Sequence, residues 1–328
     1  IRETVEAGIN TVAELQGSLL TAIQLEFSTI PPYLCAQWSI NSDPSDVSDM
    51  IQGVVVQEML HFGLACNMYT ATGGSLSGEI ATSGFLPQYP TNLPGDVHPG
   101  LSVALLPLGN LALQTFMSIE YPEVTLVVQQ PTSPAPPSAP SPPTIGQFYQ
   151  TIAAGFNTVF PSGLPTNPSL NQVVTSVGAD QLFAINTVAD AASAILEITD
   201  QGEGTSTSPD EGTFDSTDLA HYYTFAQIYY GATVAPVGGT FTYSGESITL
   251  PTVYDFASEP PGSPDQKSFI STFTTLMTQL ESCWTGGASI ETAIGTMYTL
   301  QSDGVTLIQA GSTPQFRFEA GSALPARR

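Results

Sequence analysis

The stretch VVVQEMLHFGLACNMYTATGG, residues 54–74, sets a carboxylate and a histidine, Glu58 and His61, three residues apart in an otherwise apolar run. Apolar positions recur at helical spacing through Val47, Ile51, Val54, Val55, Leu64, Ala65 and Met68, and Gly73-Gly74 ends the pattern. This predicts a helix over 46–72, capped by Ser45 or Ser48. Positions i and i+3 of a helix share a face, so Glu58 and His61 can aim an oxygen and a nitrogen at one point. An acid this deep in an apolar run needs a proton, a hydrogen bond or a cation, because a buried unpaired charge is costly.

The neighbouring segments offer further ligands. Upstream, Val12, Leu15, Leu19, Ile23, Phe27, Ile30 and Leu34 predict a helix over 11–40, with Glu26 on the same stripe. Pro31 and Pro32 are expected to kink or break it. Downstream, a helix over 216–230 would carry a second carboxylate-x-x-His pair, Asp218 and His221. Asp218 also sits where an acid favours the helix dipole. A helix over 179–200 supplies Glu197 near its end, with Glu203 as a rival. Four-helix bundles build two-metal sites from two such pairs and two further carboxylates. The expected ligand set is therefore Glu26, Glu58, His61, Glu197, Asp218 and His221, and mixed carboxylate and imidazole donors favour two Fe or Mn ions. His98, between Val97 and Pro99, is expected to be a surface or structural residue.

Charge composition strengthens the case for a cation. Against 29 Asp and Glu stand five bases, Arg2, Lys267, Arg317, Arg327 and Arg328, giving a net charge of -24. This argues against nucleic acid or an anionic membrane as partner, since both recruit clustered bases. From Glu3 through Gln266 there is no Lys or Arg to neutralise a buried acid. No run of 18 apolar residues is present, so a soluble protein is expected, cytoplasmic or secreted. Three cysteines are too few for a disulfide framework. If Glu26 and Glu58 lie level on antiparallel helices, Cys35 and Cys66 are offset by about 25 Å, which predicts no bond between them.

The rest of the chain reads as insertions and appended helices. Residues 131–143 (PTSPAPPSAPSPP) form a proline-rich loop, expected to be polyproline-like. Short helices are predicted over 111–120 and 145–160, strands over 232–257 with a turn at Gly238-Gly239, and C-terminal helices within 267–309. Residues 1–328 are expected to form one mostly α domain: a four-helix bundle core with extra C-terminal helices and short β and loop insertions. Of the aromatic residues near the predicted ligands, Tyr33, Tyr222 and Phe225 are candidates to contact a flat aromatic ligand; core packing is the alternative.

Several of these segments resemble one family. AIQLEFSTIPPYLCA (22–36), residues 54–74, FMSIEYPE (116–123), ITDQGEG (198–204) and LAHYYTFAQI (219–228) are similar to the ferritin-like domain of the iminophenyl-pyruvate dimer synthase type, of violacein-pigment synthesis. The resemblance implies a ferritin-like bundle and oxidative coupling of indole-derived imino acids. It carries metal-ligand roles onto Glu26, Glu58, His61 and His221, with Asp218 standing where Glu is expected. It also matches Glu120 and Glu123, read as supporting residues. Tyr121 and Thr224 stand where the family has arginine. Arginine would hold a substrate carboxylate, so a neutral aromatic substrate is expected instead. Function is thus expected to be that of a two-metal oxidoreductase on a neutral aromatic small molecule. The alternative is a non-catalytic pigment- or small-molecule-binding protein with a structural metal, and either could form a homo-oligomer.

Overall fold

A computed structural model describes residues 1–122, 128–129, 131, 134–135, 139, 143–165, 171–204, 208–210, 218–256 and 264–319. A short helix α1 (Arg2–Ala7) precedes α2 (Val12–Trp38). The latter opens on a reciprocal cap: Thr11 Oγ1 accepts from the Glu14 N–H, and the Glu14 carboxylate accepts from Thr11 N–H at 3.0 Å. The two prolines, expected to disturb α2, leave it continuous. Pro32 has no N–H for the Ser28 carbonyl, and the Tyr89 hydroxyl takes that acceptor instead, at 2.7 Å.

Helix α3 (Val47–Ala71) begins after Asp46, whose backbone is left-handed. The expected Ser45 or Ser48 cap is replaced by the Asp43 carboxylate, which accepts from the N–H groups of Val47 and Ser48 at 2.9 and 2.7 Å. Gln37 bonds Ser48 and Gln52 near one end of the pair, and Gln16 bonds Thr72 at the other, so α2 and α3 run antiparallel. Helices α4 (Asn110–Ile119), α5 (Ile145–Val159), α6 (Val188–Glu203) and α7 (His221–Tyr230) complete the core. Helix α2 packs on α3 and α5, α3 on α6 and α7, and α4 on α7. Helices α8 (Pro264–Thr285) and α9 (Ile290–Gln309) pack as a hairpin whose second arm lies against α2. The architecture is mostly α, a bundle with added helices and small strands.

Two predicted helices begin late. Residues 179–182 belong to a β-hairpin, Thr175–Val177 with Asp180–Leu182, which turns at Gly178 (φ +62°). Helix α6 starts only at its own capping box, Thr187 with Asp190, and extends to Glu203. Helix α7 starts at His221, because Leu219 is held in a β-bridge to Asp210. Residues 216–217 of the predicted helix lie outside the described residues, as does most of the proline-rich loop. The strand prediction succeeds: Ala232–Val237 and Thr240–Ser247 pair antiparallel around Gly238 and Gly239, with Val237 opposite Thr240. Cys35, Cys66 and Cys283 are buried free thiols. Among the described residues no helix is long and apolar enough to cross a membrane.

Candidate metal centre

The bundle gathers acids and imidazoles where α2, α3, α6 and α7 meet. Helical spacing puts Glu26 and Thr29 on one face of α2 and Glu58 and His61 on the facing side of α3, while the first residue of α7 is His221. Donor atoms of Glu58, His61 and His221, all buried, lie within 4.8 Å of one another. Glu58 is the middle member. Its Oε1 is 2.9 Å from His221 Nδ1 and 3.9 Å from His61 Nδ1. On one side His61 Nδ1 is 3.6 Å from Glu26 Oε2. On the other, His221 Nδ1 is 3.6 Å from Glu120 Oε2. The result is two half-sites, Glu26 with His61 and Glu120 with His221, sharing Glu58. The imidazole rings are 5.4 Å apart and nearly parallel, 27° between planes.

Surrounding donors fix each carboxylate. The Tyr149 hydroxyl donates to Glu26 and the Tyr33 hydroxyl to Glu120. Thr29 Oγ1 donates to Glu58 Oε2 at 2.6 Å. Burial foremost, with the neighbouring carboxylates, drives both phenols well above their usual pKa, so they stay protonated as donors.

Two glutamines orient the histidines. His61 Nε2 meets Gln201 Oε1 at 2.8 Å, and His221 Nε2 meets Gln57 Oε1 at 3.0 Å. The Gln201 amide orientation is set by its nitrogen, which donates to Glu197 at 3.0 Å and Asp180 at 3.3 Å. Its oxygen must accept, so His61 Nε2 carries the hydrogen. Both rings therefore turn Nδ1 toward the acids, and in the neutral imidazole that nitrogen carries the lone pair. Burial opposes a charged imidazole at His221, but the adjacent Glu120 and Glu58 carboxylates outweigh it and hold its pKa at about 10. His61 is likewise raised, burial being overcome by Glu26 and Glu58. Burial, then Glu120, pushes the Glu58 carboxyl up.

These residues form a candidate metal site. His221 Nδ1 is buried and close to two carboxylates, yet makes no hydrogen bond of ordinary geometry. A cation has no such angular requirement. A cavity of about 20 Å³ lies among Glu26, Thr29, Glu58, His61, Glu120 and Glu203, enough for an ion or a water. Glu58, His61 and His221 form the candidate metal group, with Glu26, Glu120 and Glu203 around the adjoining cavity, and mixed carboxylate and imidazole donors of this kind suit Fe or Mn.

Of the predicted ligands, Glu26, Glu58, His61 and His221 come together, and Glu197 and Asp218 do not. Asp218 is exposed and precedes α7, so the i, i+3 geometry assumed for it does not exist. Glu120, at the end of α4, stands beside His221 instead. Glu197 is buried but holds Gln201, and it is the rival Glu203, about 1.7 turns later on α6, that lines the cavity. Sequence reasoning assigned Glu120 a supporting role and did not identify Gln57, Gln201 or Tyr149. The signal for Glu120 was present: it follows the apolar stripe Leu113, Phe116, Met117 and Ile119, where an acid is as constrained as Glu26. Tyr33, Tyr222 and Phe225 were expected to contact an aromatic ligand. Tyr33 and Phe225 pack on each other and on Phe116, at 5.0, 4.5 and 5.1 Å between centroids, and Tyr222 packs on Tyr121 and Tyr223. None of the three lines this cavity. His98 is buried and structural, bonded to the Ile119 carbonyl.

Comparisons with known proteins agree with this architecture. No curated protein matches the chain. A crystal structure of a ferritin-like protein from Caulobacter vibrioides is similar at 25% identity and a TM-score of 0.63, covering 92% of this chain and 96% of that one. The family described as Ferritin-like matches residues 19–230, which hold most of α2, all of α3 through α7 and every residue of the candidate centre. The chain belongs to the ferritin-like family.

Proposed function

We propose that the chain is a two-metal oxidoreductase of the ferritin-like family whose substrate is a neutral aromatic small molecule. One observation carries this reading: two carboxylate–imidazole half-sites share Glu58, with both Nδ1 atoms turned inward by glutamines. Glu26 and His61 would hold one ion, Glu120 and His221 the other, with Glu58 between them and Glu203 completing the set. Two Fe or Mn ions there would supply one-electron chemistry toward dioxygen or peroxide.

The protein's own residues do the rest. Tyr149, Tyr33 and Thr29 hold the carboxylates in place, so little reorganisation is required when charge changes at the centre. Gln201 and Gln57 keep the imidazole Nδ1 atoms available. The apolar residues Leu25, Ile119, Ile145 and Ile198 line the same cavity and limit water around it. Apart from His61 the lining contains no basic side chain among the described residues, and Tyr121 and Thr224 stand at the arginine positions of the resembling family. Both features favour a neutral substrate over a carboxylate.

Anaerobic titration of the purified chain with Fe(II), followed by elemental analysis and oxygen-uptake measurements, tests the proposal. Two ions per chain and iron-dependent oxygen uptake are expected, with indole or a phenol oxidised faster than the matching aryl carboxylate. One ion or none, no oxygen uptake, or a preference for the carboxylate would overturn it.

A further inference from the structure

We propose that the chain carries a second ligand site, a chamber for a neutral lipid alcohol of sterol or isoprenoid size, on the far side of α2 and α3 from the metal centre. Helix α2 turns Glu26 and Thr29 toward the metals and Phe27, Ile30 and Leu34 the opposite way; α3 does the same with Glu58 and His61 against Met59 and Phe62. The outward faces, the 175–182 hairpin and the α8–α9 pair border a space of about 620 Å³ that opens to the surface beside Tyr298. The two cavities share no lining residue.

The inner wall of the chamber is an interior surface, while Tyr298 and Ser176 at its mouth are exposed. Phe27, Phe62, Phe273 and Trp284 line the chamber and are each at most 6% exposed. The helices are drawn together at one end because Gly304 has no side chain: a Cβ there would lie 2.2 Å from the Trp38 ring. The chamber's volume falls within the roughly 300–1,000 Å³ of small-molecule sites. It is about four times the ~150 Å³ of a dry apolar cavity that binds benzene, which corresponds to roughly 25 non-hydrogen atoms.

The lining also defines the ligand's charge. Among the described residues it contains no Asp, Glu, Lys, Arg or His. A fatty-acid carboxylate seated against the inner wall would be buried without a counter-charge among the described residues, which is costly. Gln52, Thr175, Ser176, Tyr298 and Gln301, with the buried Trp38 indole N–H that has no hydrogen-bond partner among the described residues, provide the few polar atoms of a mainly apolar lining, enough to bond a hydroxyl. Size, neutrality and sparse polarity together describe a lipid alcohol.

Fluorescence titration of the full chain with Nile red, a neutral polarity-sensitive dye, followed by competition, tests this. Saturable binding at one dye per chain is expected, displaced by cholesterol or farnesol and not by palmitate at pH 8. Ile294 and Val56 line the chamber and are only half-buried, so Ile294→Trp and Val56→Trp can fill it without overpacking the core. Each should weaken dye binding at least tenfold while leaving Mn(II) stoichiometry unchanged. Chelated protein and Glu58→Gln should bind dye as the parent does, so a failure of the metal assignment leaves this result intact. Absence of saturable binding, equal displacement by palmitate, or parental dye affinity in a folded tryptophan variant would overturn the proposal.

Discussion

Replacing Gln201 by leucine separates a tuned metal centre from a merely polar core. The side chain is 1% exposed and makes three bonds, from His61 Nε2 at 2.8 Å and to Glu197 and Asp180 at 3.0 and 3.3 Å. A hydrogen bond to a charged group contributes about 1.5–3 kcal/mol. Leucine has similar volume and adds apolar burial, offsetting part of that loss. The metal-free variant should therefore lose about 1 kcal/mol, a shift of roughly 2 °C in Tm for a chain of this size. Metal affinity should fall further. Without an acceptor at Nε2 the ring is free to rotate or to move its hydrogen to Nδ1, and loss of such an outer partner typically weakens binding about 10–100-fold, or about 1.4–2.8 kcal/mol. Gln57→Leu is the matched control, since it removes the equivalent acceptor from His221 at a less buried position. It should cost less stability and a similar factor in affinity. Mn(II) competition against a fluorescent chelator measures the affinities, and calorimetry of chelated samples measures the stabilities. If both variants bind Mn(II) within twofold of the parent while Gln201→Leu still melts lower, the glutamines are structural and Nδ1 is not the metal-facing atom.

Three other outcomes follow from the same geometry. Glu120→Ala should halve the bound metal measured by elemental analysis, whereas Asp218→Ala should leave it unchanged; the opposite pattern would restore the second pair read from the sequence. For pH, the folded pKa of His221 lies above its ordinary value, at about 10. The metal-free protein should therefore hold this stabilisation below about pH 6.5 and lose it as pH rises to about 10. Metal competes with that proton, so Mn(II) affinity should rise over the same interval, and a flat profile would contradict the assignment. Tyr89→Phe removes the donor to the Ser28 carbonyl left unpaired by Pro32. It should cost about 1 kcal/mol in denaturant unfolding, with metal content unaffected.

Fold class was legible because it depends on period and composition, which act locally. The apolar spacing of 11–40 and 46–72 defined the helix pair, and the absence of bases pointed to a cation. What was not legible depended on tertiary contacts. The start of α7 is determined by the Asp210–Leu219 bridge, and that one contact removes Asp218 from the helix. Glu197 and Glu203 are on the same short helix, and only its packing against α3 and α5 decides which one reaches the cavity. Gln57 and Gln201 carry no charge and no motif, so their role appears only when the histidines are placed beside them. The chamber behind α2 was equally hidden, since Phe27, Phe62 and Trp284 have the ordinary pattern of core residues.

The net charge of -24 has a consequence beyond the partners it repels. A field of that sign draws divalent cations into the solvent layer around the protein and raises their encounter rate with the centre. Screening sets in over about 10 Å at 0.1 M salt, so uptake should slow as ionic strength rises even where final occupancy is the same. Citrate and similar anionic chelators approach against that field. Once loaded, the chain is thus guarded kinetically by its surface, a protection that neutral chelators would evade.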